Sequence, residues 1–337
     1  MKQFLFVSVL VSLLVLPLPP RPVVAADELN GSPSTATTKY QGWGQRSNYL
    51  DLGLGYLITQ GTSSWEISFP GQLARGKSAL DFKKMESMIP FITLELKHPE
   101  TSGSLRFQYG KGQSSTGEGF DRDYQEGSLY HQSGFDVTGE TVFWIVDIQP
   151  PFFSVVKPRW TLKPFLGWQH YEEKIRMNNG RWITLYGAET DQPFAGLDSR
   201  YDFNWDALRL GIKGELALLN PPEPKGKQLR LKGSLALFPY IHYRGRGVWN
   251  LRDDFKKDPS FAHEADNFGL LGLDGVLSLA FCPLKMLEIE GGSRIFYFYV
   301  PEGTNTTYFS NNTQAVVHLN EARALRIGLF FQITGRF

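Results

Sequence analysis

The chain has a single cysteine, Cys282, among 337 residues. No internal disulfide can form, so an exported chain must hold its fold by packing and hydrogen bonds alone. It also lacks net charge. The 35 Lys and Arg against 34 Asp and Glu leave +1, which gives no basic surface for nucleic acid. Past the amino-terminal segment, no apolar run approaches the ~20 residues of a membrane-spanning helix. Catalytic fingerprints are missing as well: there is no Gly-x-Ser-x-Gly, no Walker loop and no dinucleotide motif. The six histidines show no metal-ligand spacing such as His-x-x-x-His. No cofactor or metal is expected.

What is present begins with "MKQFLFVSVLVSLLVLPLPPRPVVAADE". Lys2, an apolar run from Phe4 to Leu18 and Val24-Ala25-Ala26 before an acid have the layout of a secretory signal, 1–26. The run is too short and too broken by proline to anchor comfortably. Segment 27–47 is polar and expected to be loose at the mature start. The remaining chain, 48–337, belongs to one folded unit, because about 310 mature residues suit a single barrel.

Strand-forming residues dominate, aromatics reach 14%, and mean hydropathy is only −0.25. A transmembrane β-barrel reads this way, because its lipid-facing and lumen-facing residues cancel in the average. The closing segment "LRIGLFFQITGRF" sets Leu325, Ile327, Leu329, Phe331, Ile333 and Phe337 against Arg326, Gln332, Thr334 and Arg336. Strict alternation marks a strand with two environments. The same period recurs through Leu50–Ile58, Ile92–Leu96, Leu105–Tyr109, Leu229–Ile241, Leu271–Phe281 and Leu287–Tyr299. Glu95, Lys97, Arg106, Arg230, Lys232, Glu288, Glu290 and Arg294 fall on the polar faces and are expected to form a mixed-charge network in the lumen. Around Ala207-Leu208 the apolar phase flips, from Tyr201, Phe203 and Trp205 to Leu208, Leu210 and Ile212. A bulge or a change from external to lipid zone would do this.

Connections set the strand count. Breaks at 98–103, 149–158, 220–227 and 282–286 are short and rich in Pro or Gly. Those near 60–77, 112–134, 178–200, 245–266 and 301–321 are longer and polar. Five long connections interleaved with four short ones predict an all-β fold. It is a ten-stranded antiparallel transmembrane β-barrel with long extracellular loops and short periplasmic turns. Its last strand must pair with its first, since lipid tolerates no open sheet edge.

Several segments, in order, resemble the omptins, ten-stranded outer-membrane barrels known as surface proteases. They are "SALDFKKMESMIPFITLELKH", "GFDRDY", "LGWQHYEEKIRMNNGRW", "NFGLLGLDGVLSLAFCP" and "LEIEGGSRIFYFYVPEGTN". Omptin chemistry places two carboxylates on one side of a cleft and an Asp-x-His pair on the other, with a water between them. A histidine near neutral pKa takes the water's proton while the carboxylates orient it. By this resemblance Asp121 and Asp123 match the first pair and Asp254 the family aspartate, but Lys256 stands in the histidine's place. A protonated lysine is a poor base at neutral pH. His263, nine residues beyond Asp254 in the same long connection, is the nearest alternative.

Two functions follow as expectations. One is a structural or surface-interaction barrel without standard protease activity. The other is an aspartyl-type surface endopeptidase using Asp121, Asp123, Asp254 and His263. The implied partners are outer-membrane lipid, including lipopolysaccharide, and the barrel assembly machinery, which reads the carboxy-terminal strand.

Overall fold

A computed structural model describes residues 49–69, 76–98, 103–219 and 228–337. The signal at 1–26 and the segment 27–47 lie outside the described residues. Ten strands form the ring, each hydrogen-bonded to the next. They are β1 (Leu50–Phe69), β2 (Gly76–Lys97), β3 (Ser104–Gln125), β4 (Ser128–Gln149) and β5 (Trp160–Leu185). Then come β6 in two segments (Ala188–Pro193, Ser199–Ala217) and β7 (Gln228–Val248). β8 (Phe261–Phe268, Gly272–Leu284) and β9 (Leu287–Val300, Gly303–Tyr308) are also interrupted, and β10 (Gln314–Arg336) is last. A 3-10 turn at Pro151–Phe153 lies between β4 and β5.

β10 closes the ring on β1, antiparallel, from Asp51↔Arg336 to Ser68↔His318. The Phe337 amide donates to the Leu50 carbonyl at 2.8 Å, and the Tyr49 amide donates to the Phe337 carbonyl at 2.8 Å. No backbone is left open at the seam, as a sheet in lipid requires. Both ends of the ring's chain lie at this lower rim.

The strands are longer than a bilayer needs. About 9–11 tilted residues cross one, whereas β5 has 26. The excess rises at the upper rim, where the sequence shows its long polar connections. Segment 112–134, for example, is β3 and β4 running on to a turn at Glu126-Gly127. There φ is 50° and 82°, the left-handed pair of a type I′ hairpin turn. Tyr186-Gly187, with φ of 53° and 77°, does the same between β5 and β6. In sequence these extensions hide, because a strand with water outside and a packed core inside reverses the alternation of a strand in lipid.

That reversal is seen directly in β6. Tyr201, Phe203, Trp205, Ala207 and Arg209 are all buried and face the lumen, with no break in their alternation. What changes is the surroundings. Above Ala207 the inside is apolar and the outside polar; below it, Arg209 points inward while Leu210 and Ile212 face lipid. The sequence flip is thus the change of zone. The bulge lies on the partner strand, where Leu208 pairs Tyr240 but Leu210 pairs Leu237.

The upper lumen is filled by an aromatic plug. Trp205 lies 4.4 Å from Tyr243 and 5.5 Å from Phe298, and Tyr171 stacks on Phe298 at 5.3 Å. β7 makes room for the plug with "YRGRGV": Arg244 and Arg246 point out, Gly245 and Gly247 point in. A Cβ on Gly245 would fall 2.0 Å from the Tyr201 hydroxyl, so only glycine fits beneath that ring. Among the plug's rings, Arg326 of β10 reaches across the barrel to Glu173 of β5, which also accepts from the Tyr171 hydroxyl; both charges are about 1% exposed.

The lower lumen holds the charged network expected from sequence. Lys232 bonds Glu288 at 2.8 Å and Glu290 at 2.6 Å. Glu288 also accepts from Arg230 and Arg336, and Lys97 pairs Asp51. Above them a buried layer joins Arg209 to Asp147 (2.9 Å) and Asp274 (2.6 Å), and Arg294 to the same Asp274 (2.7 Å). Outside, Leu54, Ile58, Leu210, Leu277, Leu329 and Phe331 form an exposed apolar belt. Trp168, Tyr240 and Phe268 edge it above, with centroids 6.2 and 4.8 Å apart, as in the aromatic girdles of membrane barrels.

Candidate functional site

The upper mouth is built from two sides. On one, β3 changes register against β4 between Ser114 and Glu118, and against β2 near Lys84, whose φ is 53°. The inward positions of β3 shift there from even to odd. Gly119 then lies under the Phe135 ring, and Asp121 and Asp123, two residues apart each time, follow it on the inner face. Arg122 falls outside, paired with Asp81.

On the other side, the connection from β7 to β8 is a compact loop. The Lys256 amide donates to the Tyr308 carbonyl and the Ser310 amide to the Asp254 carbonyl, at 2.8 and 2.9 Å. The Trp249 amide donates to Ser260 Oγ at 2.9 Å. From this frame Arg252 grips Asp254 with two bonds, Nε to Oδ1 at 2.8 Å and Nη2 to Oδ2 at 2.7 Å. Its guanidinium also lies 4.1 Å above the Phe255 ring.

Arg252 feels Asp121 and Asp123 as well as Asp254, and all three hold its proton more firmly. Arg252 thus bonds one of the four expected site residues, Asp254, and lies within electrostatic reach of two more, Asp121 and Asp123. The Asp121 carboxyl is pushed up, to about 8, by its dehydrated surroundings and the charge of Asp123, against the pull of Arg252. Asp254 is held below the usual range by its bonds to Arg252. At neutral pH the mouth thus has a protonated Asp121, an ion-paired Asp254 and a fixed cation between the walls.

His263 is elsewhere. It sits in the plug, about 1% exposed, with its Nδ1 2.7 Å from the Tyr201 hydroxyl and its ring 4.8 Å from Trp65. Asn305 is its partner across to β9. Burial pushes its pKa down to about 3, and no carboxylate charge opposes that. At about 1% exposure its ring is closed off from bulk solvent. Lys256, in the family histidine's place, lies 6.0 Å from the Tyr308 ring. Arg252 is the mouth residue that sequence reasoning missed. Nothing in "LRDD" sets it apart, and only the folded loop brings it to β3.

A second polar group lies on the outer wall, just above the belt. His242, Glu264 and Asp266 bring one ligand atom each within 4.8 Å of one another and could hold a cation. Asp266 already accepts from Tyr240 at 2.7 Å and lies 2.9 Å from His242 Nδ1. Spacing in sequence could not reveal it, because its members come from two strands.

A closed ten-stranded ring, an apolar outer belt and a filled lumen define an outer-membrane β-barrel. The crystal structure of the outer membrane protease OmpT from Escherichia coli has this fold. It matches with a TM-score of 0.66 and 10% identity, over 86% of this chain and 97% of that one. At that identity the likeness is one of fold alone. The translocator domain of the autotransporter NalP from Neisseria meningitidis matches at 10% identity with a TM-score of 0.32, over 87% and 90% of the two chains. No curated protein matches in sequence. The family described as Protochlamydia outer membrane protein matches residues 52–322, and the chain belongs to that family. It is a protein of the bacterial outer membrane.

Proposed function

We propose that this protein is an omptin-like barrel that serves as a structural and surface-interaction protein and does not hydrolyse peptides. The carrying observation is Arg252. Its guanidinium is bonded to Asp254 and lies within electrostatic reach of Asp121 and Asp123, so a fixed cation stands among the acids that a hydrolytic site would use to hold a water. Arg252 cannot accept a proton. A raised Asp121 carboxyl is a donor at neutral pH. A mouth so arranged fixes charge and does not move protons. Its ordered rim, from Trp249 to Ser260, then acts as a rigid surface for a partner at the cell exterior.

The test is cleavage of peptides between basic residues by refolded protein with lipopolysaccharide present. The expected rate equals that of Asp121→Ala. Robust cleavage that Asp121→Ala abolishes would overturn the reading. The filled lumen supports a non-conducting barrel, so planar bilayers should stay silent; steady stepwise conductance would count against that part.

A further inference from the structure

The lower lumen contains a cavity of about 180 Å³ at the periplasmic end, walled by β1 to β3, β5 to β7 and β8 to β10. Its charges do not balance. With the Arg294–Asp274 pair assigned to the buried layer above, eight basic side chains face five acidic ones. Every acid is already engaged: Asp51 by Lys97, Glu95 by Lys213, Glu215 by Arg230 and Glu290 by Lys232. Glu288 is shared by three cations, Arg230, Lys232 and Arg336. Arg106 and Lys163 line the same space and form no ion pair among the described residues, Arg106 having only the longer-range attraction of Glu95, opposite it on β2. Around the cavity lie a closed sheet and a lipid belt, so water and salt screen this surplus poorly. Among the described residues the cations outnumber the acids, and an enclosed excess of one sign attracts anions and focuses them from the open end.

The geometry points to a binding site for a small multivalent oxyanion, entered from the periplasm and centred on Arg106 and Lys163. The surplus of three positive charges matches an anion of two or three charges, and guanidinium with ammonium suits phosphate or carboxylate oxygens. The ceiling is closed, because Arg209, Arg294, Asp147 and Asp274 satisfy one another there. The anion would therefore bind and leave by the same end. This site is separate from the mouth, and it stands whether or not the mouth has enzymatic activity.

The test is calorimetric titration of the refolded full mature chain in an uncharged detergent at low salt. Pyrophosphate and citrate are the two probes, for phosphate and carboxylate sources. Saturable 1:1 binding of either is expected. It should weaken at least tenfold in Arg106→Gln and in Lys163→Gln, weaken with added chloride, and stay unchanged in Lys111→Gln on the outer wall. Heat-modifiable migration checks that each variant is folded, and either single variant suffices if the other is not. Pyrophosphate alone would assign a phosphate-bearing ligand and citrate alone a carboxylate-bearing one. No saturable binding, or binding indifferent to both lumen variants, would overturn the assignment.

Discussion

Arg326→Met removes one end of the strut that crosses the barrel beside the Tyr171 ring of the plug. Glu173 would remain fully buried, with only Ser63 Oγ at 2.6 Å and the Tyr171 hydroxyl at 2.7 Å to solvate its charge. Leaving one partner of a buried pair costs about 3–5 kcal/mol. Glu173→Gln should cost a similar amount, since Arg326 would keep only neutral partners, the Leu325 carbonyl, Ser63, the Met85 sulfur and the Tyr171 hydroxyl. The double variant removes both charges. It loses a few neutral hydrogen bonds, each about 1 kcal/mol, and should be less damaged than either single variant. The coupling is then at least about 3 kcal/mol, in line with the ~4 kcal/mol of two unit charges 4 Å apart at an effective dielectric near 20. Urea unfolding in lipid vesicles, followed by tryptophan fluorescence, reads all four proteins, because Trp65 and Trp205 lie in the plug. Single costs below about 1 kcal/mol, or a coupling of zero, would refute the strut.

Leu329 is 69% exposed to lipid and Gln332 is 7% exposed in the lumen, so Leu329→Arg should cost about 2–4 kcal/mol at the midplane while Gln332→Arg is tolerated. Equal outer-membrane yields would sink the facing of β10. Deleting Arg336 and Phe337 removes the Glu288 contact and the seam bonds to Leu50 and Tyr49. Export should continue, outer-membrane insertion should fail, and fractionation distinguishes the two steps. The raised carboxyl of Asp121 keeps its proton in the folded chain while the unfolded chain loses it near pH 4. Stability should therefore fall as pH rises from about 4 to about 8 and level off above, and Asp121→Asn should flatten that part of the urea-midpoint profile.

Much of this barrel was legible in the chain. β10 could be read residue by residue, because lipid on one side and charge on the other write a period of two that nothing interrupts. The seam followed, since a lipid-bound sheet must close. The lumen network was read in part. Arg230, Lys232, Glu288 and Glu290 stand on clean strands, whereas Arg209 and Lys213 lie just past the phase flip in β6 and Asp147 on a strand that read poorly. The plug was hidden for the same reason. Tyr201, Phe203 and Trp205 look like a lipid face until the height of the bilayer is known. At the mouth, Asp121 and Asp123 were found through a resemblance, but their inward aim depends on register shifts near Lys84 and Ser114 that no local pattern announces. Arg252 depended on a fold across 130 residues.

The exchange of apolar and polar faces along β6 gives mutational tolerance a height. Replacing an outward Ile212 by lysine puts an ammonium into hydrocarbon, whereas an outward lysine in place of Asp202, ten residues higher on the same face, meets water. Inward positions obey the opposite rule, with Phe203 as intolerant of charge as Arg209 is of its loss. A scan of one amino acid along this strand should therefore trace two offset step functions, one for each face, whose shared crossing point lies near Ala207. That crossing measures where the outer leaflet ends, so the chain carries its own ruler of membrane thickness.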